Sequence, residues 1–263
     1  MTPTLQFIQS LARRAGEVIK FGYNQRPGYG TTLQVHSKGA VDIVSEIDFR
    51  VEKLILDTIR EHFPGDSIVS EESELVREKE CCIWYIDPLD GTVNYVHGLP
   101  FFCTSLAYFE EGEMKLGVVF DPIRDECFTA ERGKGAFLNG DPIRASTTAT
   151  LNESLLVTGF SYDIRENDEN NLDKFGRLSM RARSIRRLGS AALDLCYVAV
   201  GRLDGYWELD LHPWDFAAGA LIASEAGASV TNLKGEPDLL IEPHTVLVCT
   251  PGIQLEMLAV LNT

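Results

Sequence analysis

Ile83-Trp84-Tyr85-Ile86-Asp87-Pro88-Leu89-Asp90-Gly91-Thr92 is the stretch on which the reading of this chain turns. Ile83 to Ile86 is a short apolar run that reads as a buried strand, and it delivers Asp87 to its end. Pro88 then forces a turn, Asp90 returns three residues later, and the Leu89 carbonyl between them can face the same point. Such a group of hard oxygens suits Mg²⁺, which takes a few carboxylate and carbonyl ligands, keeps waters and completes its shell with phosphate oxygens. The same residues also read as an Asp-Pro turn followed by an Asx-Gly turn with no ligand role.

Further short apolar runs surround this strand: Ile68 to Val69, Thr104 to Phe109, Leu116 to Phe120 and Glu126 to Ala130. Ala136 to Leu138 and Pro142 to Arg144 flank Asn139-Gly140, a pair that tolerates the positive φ of a tight hairpin turn. The middle of the chain is therefore largely sheet. Before it, Leu5, Ile8, Leu11, Ala15, Val18 and Ile19 recur at helical spacing, and Gly22 with Pro27, Gly28 and Gly30 is expected to end that helix in a loop. Ser45 and Asp48 have the spacing of a capping box, opening a helix whose apolar face runs from Ile47 to Ile59 before Pro64 and Gly65.

Beyond the sheet, Leu155 to Thr158, Gly205 to Leu209 and Val246 to Cys249 read as strands. Ala191 to Val200, Pro213 to Ala226 and Leu255 to Leu261 read as helices, with Pro213 near a first turn and Gly227 past an end. The polar run Asp163 to Asp173 reads as a solvated loop and helix start. Helices and strands mixed in this way predict a layered α/β or α+β architecture with at least two sheets. The expected organisation is an N-terminal half over residues 1–146 and a C-terminal half over 147–263, with a cleft between them.

The chain has 263 residues, 44% of them hydrophobic, enough for a large core. Its net charge of −15 argues against a protein that binds duplex nucleic acid by neutralising phosphates. No run approaches the roughly 20 apolar residues of a membrane span, and Arg13, Arg14 and Glu17 interrupt the first helix where a signal peptide would be apolar. A cytoplasmic protein beginning near Met1 is expected. Cys81, Cys82, Cys103, Cys127, Cys196 and Cys249 show no ligand-type spacing and read as reduced, mostly buried thiols.

Other carboxylates are bland one at a time. Glu71 and Glu72 follow the strand after Pro64-Gly65, Asp215 sits in a first helical turn where the dipole favours it, and Asp42 and Asp48 flank Ser45. Their combination is not bland. Trp84 to Asn94 corresponds to W-x-x-D-P-x-D-G-T-x-N, Glu71-Glu72-Ser73 to G-E-E-S, and Trp214 to Gly219 to W-D-x-A-A-G. In these three motifs the chain resembles the inositol monophosphatase family of Mg²⁺-dependent, lithium-sensitive phosphatases, most of all bacterial inositol-1-monophosphatases. Asp42 to Asp48, Gly133 to Gly140 and Gly189 to Ala192 resemble further family stretches. Ser70 departs from the usual Gly before the Glu pair, and Val93 from a common Thr; neither removes a ligand.

The resemblance implies a layered αβαβα fold with two sheets and an active-site cleft. It implies that Glu71, Asp87 and the Leu89 carbonyl hold one Mg²⁺, that Asp87, Asp90 and Asp215 hold a second, and that some relatives carry a third near Glu71. Two ions so placed clamp the attacking and leaving oxygens of an in-line displacement. Glu71 and Thr92, the latter oriented by Asp48, would position and deprotonate the attacking water, and Gly91 and Thr92 would offer backbone N–H groups to the phosphate. Asp90, Asp215, Glu208 and the backbone around Gly189, Ser190 and Ala191 would meet substrate. Glu208 also reads as a surface acid at a strand end, and Ser190 as a helix N-cap. Arg186 and Arg187 stay open between a second anionic group and solvent. His97 and His212 read as structural, since Mg²⁺ prefers oxygen.

The activity implied is hydrolysis of a small phosphorylated polyol or sugar by metal-activated water, with myo-inositol 1-phosphate as first choice and a homodimer as the working form. Fructose 1,6-bisphosphate and histidinol phosphate are the alternatives within the family. The D-x-D-G-T motif of haloacid-dehalogenase phosphatases fits less well, because one extra residue separates Asp87 from Asp90 and leaves Glu71 and Asp215 unexplained. A non-catalytic role beside the transcription machinery is the alternative of another class.

Overall fold

A computed structural model describes residues 2–25, 35–37, 43–73 and 82–263. The expected loop at Pro27, Gly28 and Gly30, and the residues Asp42 and Cys81, lie outside the described residues. The chain opens with helix α1 (Leu5–Asn24), the ribbon β1 (Val35–Ser37) and β2 (Ile43–Ser45), and helix α2 (Glu46–His62). There follow β3 (Ser67–Ser70), β4 (Cys82–Asp90), the short helix α3 (Thr92–His97), β5 (Cys103–Glu110), β6 (Glu113–Asp121), β7 (Glu126–Glu131), β8 (Ala136–Leu138) and β9 (Asp141–Pro142). The remainder is β10 (Leu155–Thr158), α4 (Leu172–Ser179), β11 (Ser184–Arg186), α5 (Ala191–Ala199), β12 (Gly205–Leu209), α6 (Pro213–Glu225), β13 (Ser229–Thr231), β14 (Thr245–Cys249) and α7 (Gln254–Leu261).

Strands β3 to β9 form one sheet in chain order, antiparallel except for the parallel pair β3 and β4. The other large sheet runs β11-β10-β12-β14-β13. Side-chain alternation explains how both are covered. Trp84, Ile86, Leu106, Tyr108, Val118 and Phe120 face Ile8, Leu11, Val51 and Ile55 of α1 and α2, whereas Tyr85, Ala107 and Val119 face α5 and α6. Val157, Tyr206 and Val248 of the second sheet pack on that same α5–α6 layer, and Trp207, Leu247 and Cys249 turn the other way onto α4 and α7. The order is therefore αβαβα, as expected. Burial of both faces is also why the strands read as near-continuous apolar runs.

The central helices fit between two sheets because their contact surfaces are small. A Cβ on Gly117 of β6 would stand 2.9 Å from the Ala218 carbonyl of α6, and one on Gly219 would stand 2.7 Å from Leu195 Cβ of α5. This close approach seats α6 against β6 and α5, and its first turn, which begins at Pro213, carries Asp215.

Several local expectations hold. Ser45 caps α2, accepting from Ile47 N–H, and its own N–H donates to Asp48 Oδ2 at 2.9 Å. Asn139 and Gly140 both have positive φ, 51° and 89°. Cys103, Cys127, Cys196 and Cys249 are buried and form no disulfide among the described residues. Among the described residues no helix is long and apolar enough to cross a membrane.

Two expectations are corrected. Gly22 does not end α1; it lies inside the helix, where a Cβ would meet Ile47 and Tyr95 at 2.5 Å, so it serves close packing. The strand through Trp84 does not stop at Asp87, because its pairing with β5 resumes at Asp90. The short strands β1, β2, β11 and β13 went unforeseen, being only three residues each and too brief to show a period.

Candidate active site

The site starts from an irregularity in β4. Asp87 pairs with Ser105 and Asp90 with Cys103, so three steps along β4 match two along β5. Residues three apart on a regular strand point to opposite faces; the extra residue of this bulge reverses the parity and turns both aspartates to one side. Leu89, inside the bulge, sends its side chain back into the core against α1 and α2, where it is fully packed. Its carbonyl accepts the Thr92 hydroxyl at 2.9 Å.

Each remaining acid is placed by an element end. β3 runs parallel to β4, and Glu71 N–H donates to the Ile86 carbonyl, which sets Glu71 beside Asp87. Buried Glu52 of α2 receives the hydroxyls of Ser70 at 2.6 Å and Ser73 at 2.8 Å, bracketing the Glu71-Glu72 pair. Asp215 stands in the first turn of α6, its Oδ2 accepting His212 N–H at 2.7 Å. Asp90 Oδ2 accepts from Ser190 Oγ at 2.6 Å and from Ala192 N–H at 2.8 Å, so the start of α5 holds it. Gly91, at φ 93°, makes the turn from β4 into α3 with its Cα against the Phe101 carbonyl, a conformation and a space that only glycine offers.

An open cleft of about 740 Å³ gathers these groups. Glu71, Asp87, Leu89, Asp90, Gly91 and Thr92 line it on one side. Gly189, Ser190, Ala191, Glu208 and Asp215 line the rest. Asp48 stands behind this lining, buried, and receives the Thr92 hydroxyl at 3.0 Å. Glu208 is no surface acid: it is buried on the same face of β12 as Tyr206, whose hydroxyl donates to it at 2.7 Å.

The electrostatics are those of concentrated negative charge. Burial pushes the Asp87 carboxyl well above its ordinary value, and the charges of Glu71, Asp90, Asp215 and Asp48 push it further in that order. Burial likewise raises Asp215 and Asp90. Glu208 is raised by burial to about 7. Asp87 Oδ1 accepts Leu89 N–H, while Asp90 Oδ2 and Asp215 Oδ2 accept the N–H groups of Ala192 and His212. Like charges buried together disfavour one another's ionisation, and a bound cation would relieve that. Buried hard-oxygen donors under repulsion fit a divalent ion of the Mg²⁺ kind.

Sequence reasoning missed several cleft residues. Asp194 in α5, Gly159 after β10 and Asp210 after β12 all line the cleft. Arg187, whose role the sequence leaves open, lines it too, as does His212, which stacks on Trp214 with ring centroids 4.5 Å apart. The polar run 163–173 is a largely exposed loop that leads into α4, as expected, and its Asp163 and Asn167 also reach the cleft. For Asp194 a signal existed, since it is the lone charged residue of an otherwise apolar helix.

Comparison with known proteins places this geometry. The profile of the inositol monophosphatase family matches residues 1–261. Over 260 residues the chain is 40% identical to the Nus factor SuhB of Escherichia coli strain K12, a match covering 98% of this chain and 96% of that one. The extragenic suppressor protein suhB of Bartonella henselae is 36% identical with a TM-score of 0.87, over 97% of this chain and 96% of that one. The Thermotoga maritima IMPase is 40% identical with a TM-score of 0.86, over 98% of this chain and 96% of that one. With its motifs, its layers and its acidic cleft in agreement, the chain belongs to the inositol monophosphatase family.

Proposed function

We propose that this protein is a Mg²⁺-dependent phosphatase acting on a small phosphorylated polyol, with myo-inositol 1-phosphate as its substrate. The observation that carries the reading is the gathering of Glu71, Asp87, Asp90 and Asp215 into one cleft, buried and mutually repelling. Glu71, Asp87 and the Leu89 carbonyl would hold one ion, and Asp87, Asp90 and Asp215 another. When bound, Mg²⁺ supplies the positive charge that admits a phosphate ester to a protein of net charge −15, and acidifies a water.

The chain's own residues do the rest. Thr92 carries a single hydroxyl proton that bonds to Asp48 or to the Leu89 carbonyl, and Asp48 holds that hydroxyl in place from behind the cleft. Glu71, fixed by β3 and by the Glu52 bracket, stands where it can take a proton from water directed at phosphorus. Asp90 is kept from rotating by Ser190 and Ala192. Glu208 faces the leaving group.

Phosphate release from myo-inositol 1-phosphate, fructose 1,6-bisphosphate and histidinol phosphate, with Mg²⁺ and then with chelator, tests the reading. Release from none of them would remove it. A second reading, a role beside the transcription machinery, is favoured by the 40% identity to a protein named Nus factor SuhB. Co-purification of a catalytically dead variant with transcription proteins would support that role independently of turnover. The homodimer rests on the resemblance alone, and sedimentation tests it. The halves 1–146 and 147–263 are supported by the two large sheets, whose strands run within residues 67–142 and 155–249.

A further inference from the structure

Three main-chain carbonyls converge on one buried amide beside the cleft. Asn94 of α3 is 8% exposed, and its Nδ2 donates to the Phe101 carbonyl at 2.8 Å and to the Leu188 carbonyl at 2.7 Å, with the Gly189 carbonyl at 3.3 Å. Carbonyls only accept, so the NH₂ end of the amide is the end that fits here. Leu188 and Gly189 form the turn between β11 and α5 and lie more than ninety residues along the chain from Asn94. The packing is tight. A Cβ on Gly91 would stand 2.9 Å from the Phe101 carbonyl and 3.2 Å from that of Gly189, and one on Gly189 would stand 3.0 Å from Asn94 Nδ2. Gly91 and Gly189, at φ 93° and 91°, let the two turns approach this closely.

Both turns lead to Asp90. Gly91 follows it in sequence, and Gly189 precedes Ser190, whose hydroxyl donates to Asp90 Oδ2 at 2.6 Å and also caps α5 by accepting Leu193 N–H. Ala192 N–H donates to the same oxygen at 2.8 Å, and the Cys103 thiol stands 3.8 Å from it. Asp90 is thus oriented by the start of α5, and the turn that brings α5 in is tied back to α3 by Asn94. Asn94 is not among the residues lining the cleft, so its reach into the site runs through Gly189 and Ser190. A side chain without donors would leave the Phe101 and Leu188 carbonyls unmatched and the turn free to shift.

We propose that Asn94 is a positioning residue for the metal site: by holding the Leu188-Gly189 turn against α3 it keeps Ser190 and Ala192 on Asp90, and so keeps that carboxylate in the orientation in which it would join Asp87 and Asp215 around a divalent cation. This rests on the reading of Asp90 as a metal ligand.

The test is the Mg²⁺ dependence of Asn94→Ala, Asn94→Asp and Asn94→Ser. It is read as the Mg²⁺ concentration giving half-maximal phosphate release from myo-inositol 1-phosphate, and as the rise in Tm that Mg²⁺ gives over chelator. Asn94→Ala and Asn94→Asp lack the donor, and both readings are expected to report about 10-fold weaker Mg²⁺ binding, roughly the worth of one hydrogen bond. At saturating Mg²⁺, kcat should stay within about threefold of the wild type, as expected when binding rather than chemistry is lost. Asn94→Ser, small and still a donor, shifts less and keeps the test valid if the other variants do not fold. Ser190→Ala supplies the second arm, because it removes one of the contacts through which Asn94 acts. In that background Asn94→Ala should weaken Mg²⁺ binding by only about threefold or less. A residue that merely supports the fold lowers Tm equally with Mg²⁺ and with chelator and leaves half-saturation unmoved. That result in every variant that folds overturns the proposal, as does an undiminished loss in the Ser190→Ala background. A wild type with neither Mg²⁺-dependent phosphate release nor a Mg²⁺-induced rise in Tm overturns the metal reading and this proposal with it, whereas a Mg²⁺-dependent wild type with unshifted variants overturns the proposal alone.

Discussion

Thr92 donates its hydroxyl to Asp48 Oδ1 at 3.0 Å, while Oδ2 of the same carboxylate accepts the Ser45 N–H that locks the start of α2. One buried acid thus joins the first turn of a helix to the site. Thr92→Val would leave Oδ1 without its donor, at a cost of about 1–3 kcal/mol of stability. Turnover should fall about 100-fold or more, since the hydroxyl can no longer pass on a proton. Thr92→Ser should recover most of both losses. Urea unfolding and phosphate release measure the two effects, and wild-type turnover in the valine variant would exclude Thr92 from the chemistry.

Asp90→Asn and Asp215→Asn should abolish Mg²⁺-dependent turnover but leave the chelated protein as stable as the wild type, or more so. Each removes a buried charge whose carboxyl is held above its ordinary value by burial, and, for Asp215, next by the charges of Glu71 and Asp90. Mg²⁺ should raise the wild-type Tm by binding only the folded state, about 2.7 kcal/mol at a hundredfold excess over Kd. The variants should lose most of that gain. Calorimetry with and without Mg²⁺ reads this directly; an undiminished gain in both variants would place the ion elsewhere.

Glu208 makes the metal-free protein less stable as pH rises. Its folded value of about 7 lies above the ordinary 4.5, chiefly because burial disfavours the charge. Between those values the folded protein holds a proton that the unfolded chain has released, so unfolding free energy falls with increasing pH. The penalty is absent below 4.5 and complete above about 7, amounting to about 3 kcal/mol. Glu208→Gln should flatten that part of the profile. Unfolding in urea with chelator from pH 4.5 to 8 checks it, and an identical slope in the variant would show that another group titrates.

Glu52 should matter to activity without touching substrate. It holds Ser70 and Ser73 on either side of Glu71, and Ser70 stands where the family motif has glycine. Glu52→Ala frees the Glu71 segment and leaves two hydroxyls without their acceptor. We expect a drop in kcat of roughly tenfold and a loss of about 1–3 kcal/mol, with Glu52→Gln keeping much of both. Equal kinetics in the alanine variant would show that β3 alone positions Glu71.

The elements were legible where a few neighbouring residues contain the whole instruction. Ser45 and Asp48 cap a helix through atoms three residues apart, and Asn139-Gly140 turns a hairpin through its own dihedral angles. The apolar runs of β4 to β7 announced themselves because both faces of their sheet are covered. Gly22 misled because a glycine between packed side chains and a glycine at a helix end look identical as letters. Asp194 and Glu52 were passed over for a related reason: the groups that surround them come from distant segments.

Periodicity and turn chemistry determined most of the elements and a mixed architecture with two sheets, while the resemblance carried by the motifs from Glu71 to Asp215 pointed to the layer order, the family and the acids of the cleft. Only the tertiary structure decided that a bulge turns Asp87 and Asp90 the same way, that the start of α5 grips Asp90, and that Glu208 and Asp194 are sunk in one cleft. The division has a physical cause. Hydrogen bonds of turns and caps close within a few residues, whereas burial and charge repulsion act through space and exist only once remote segments have packed together.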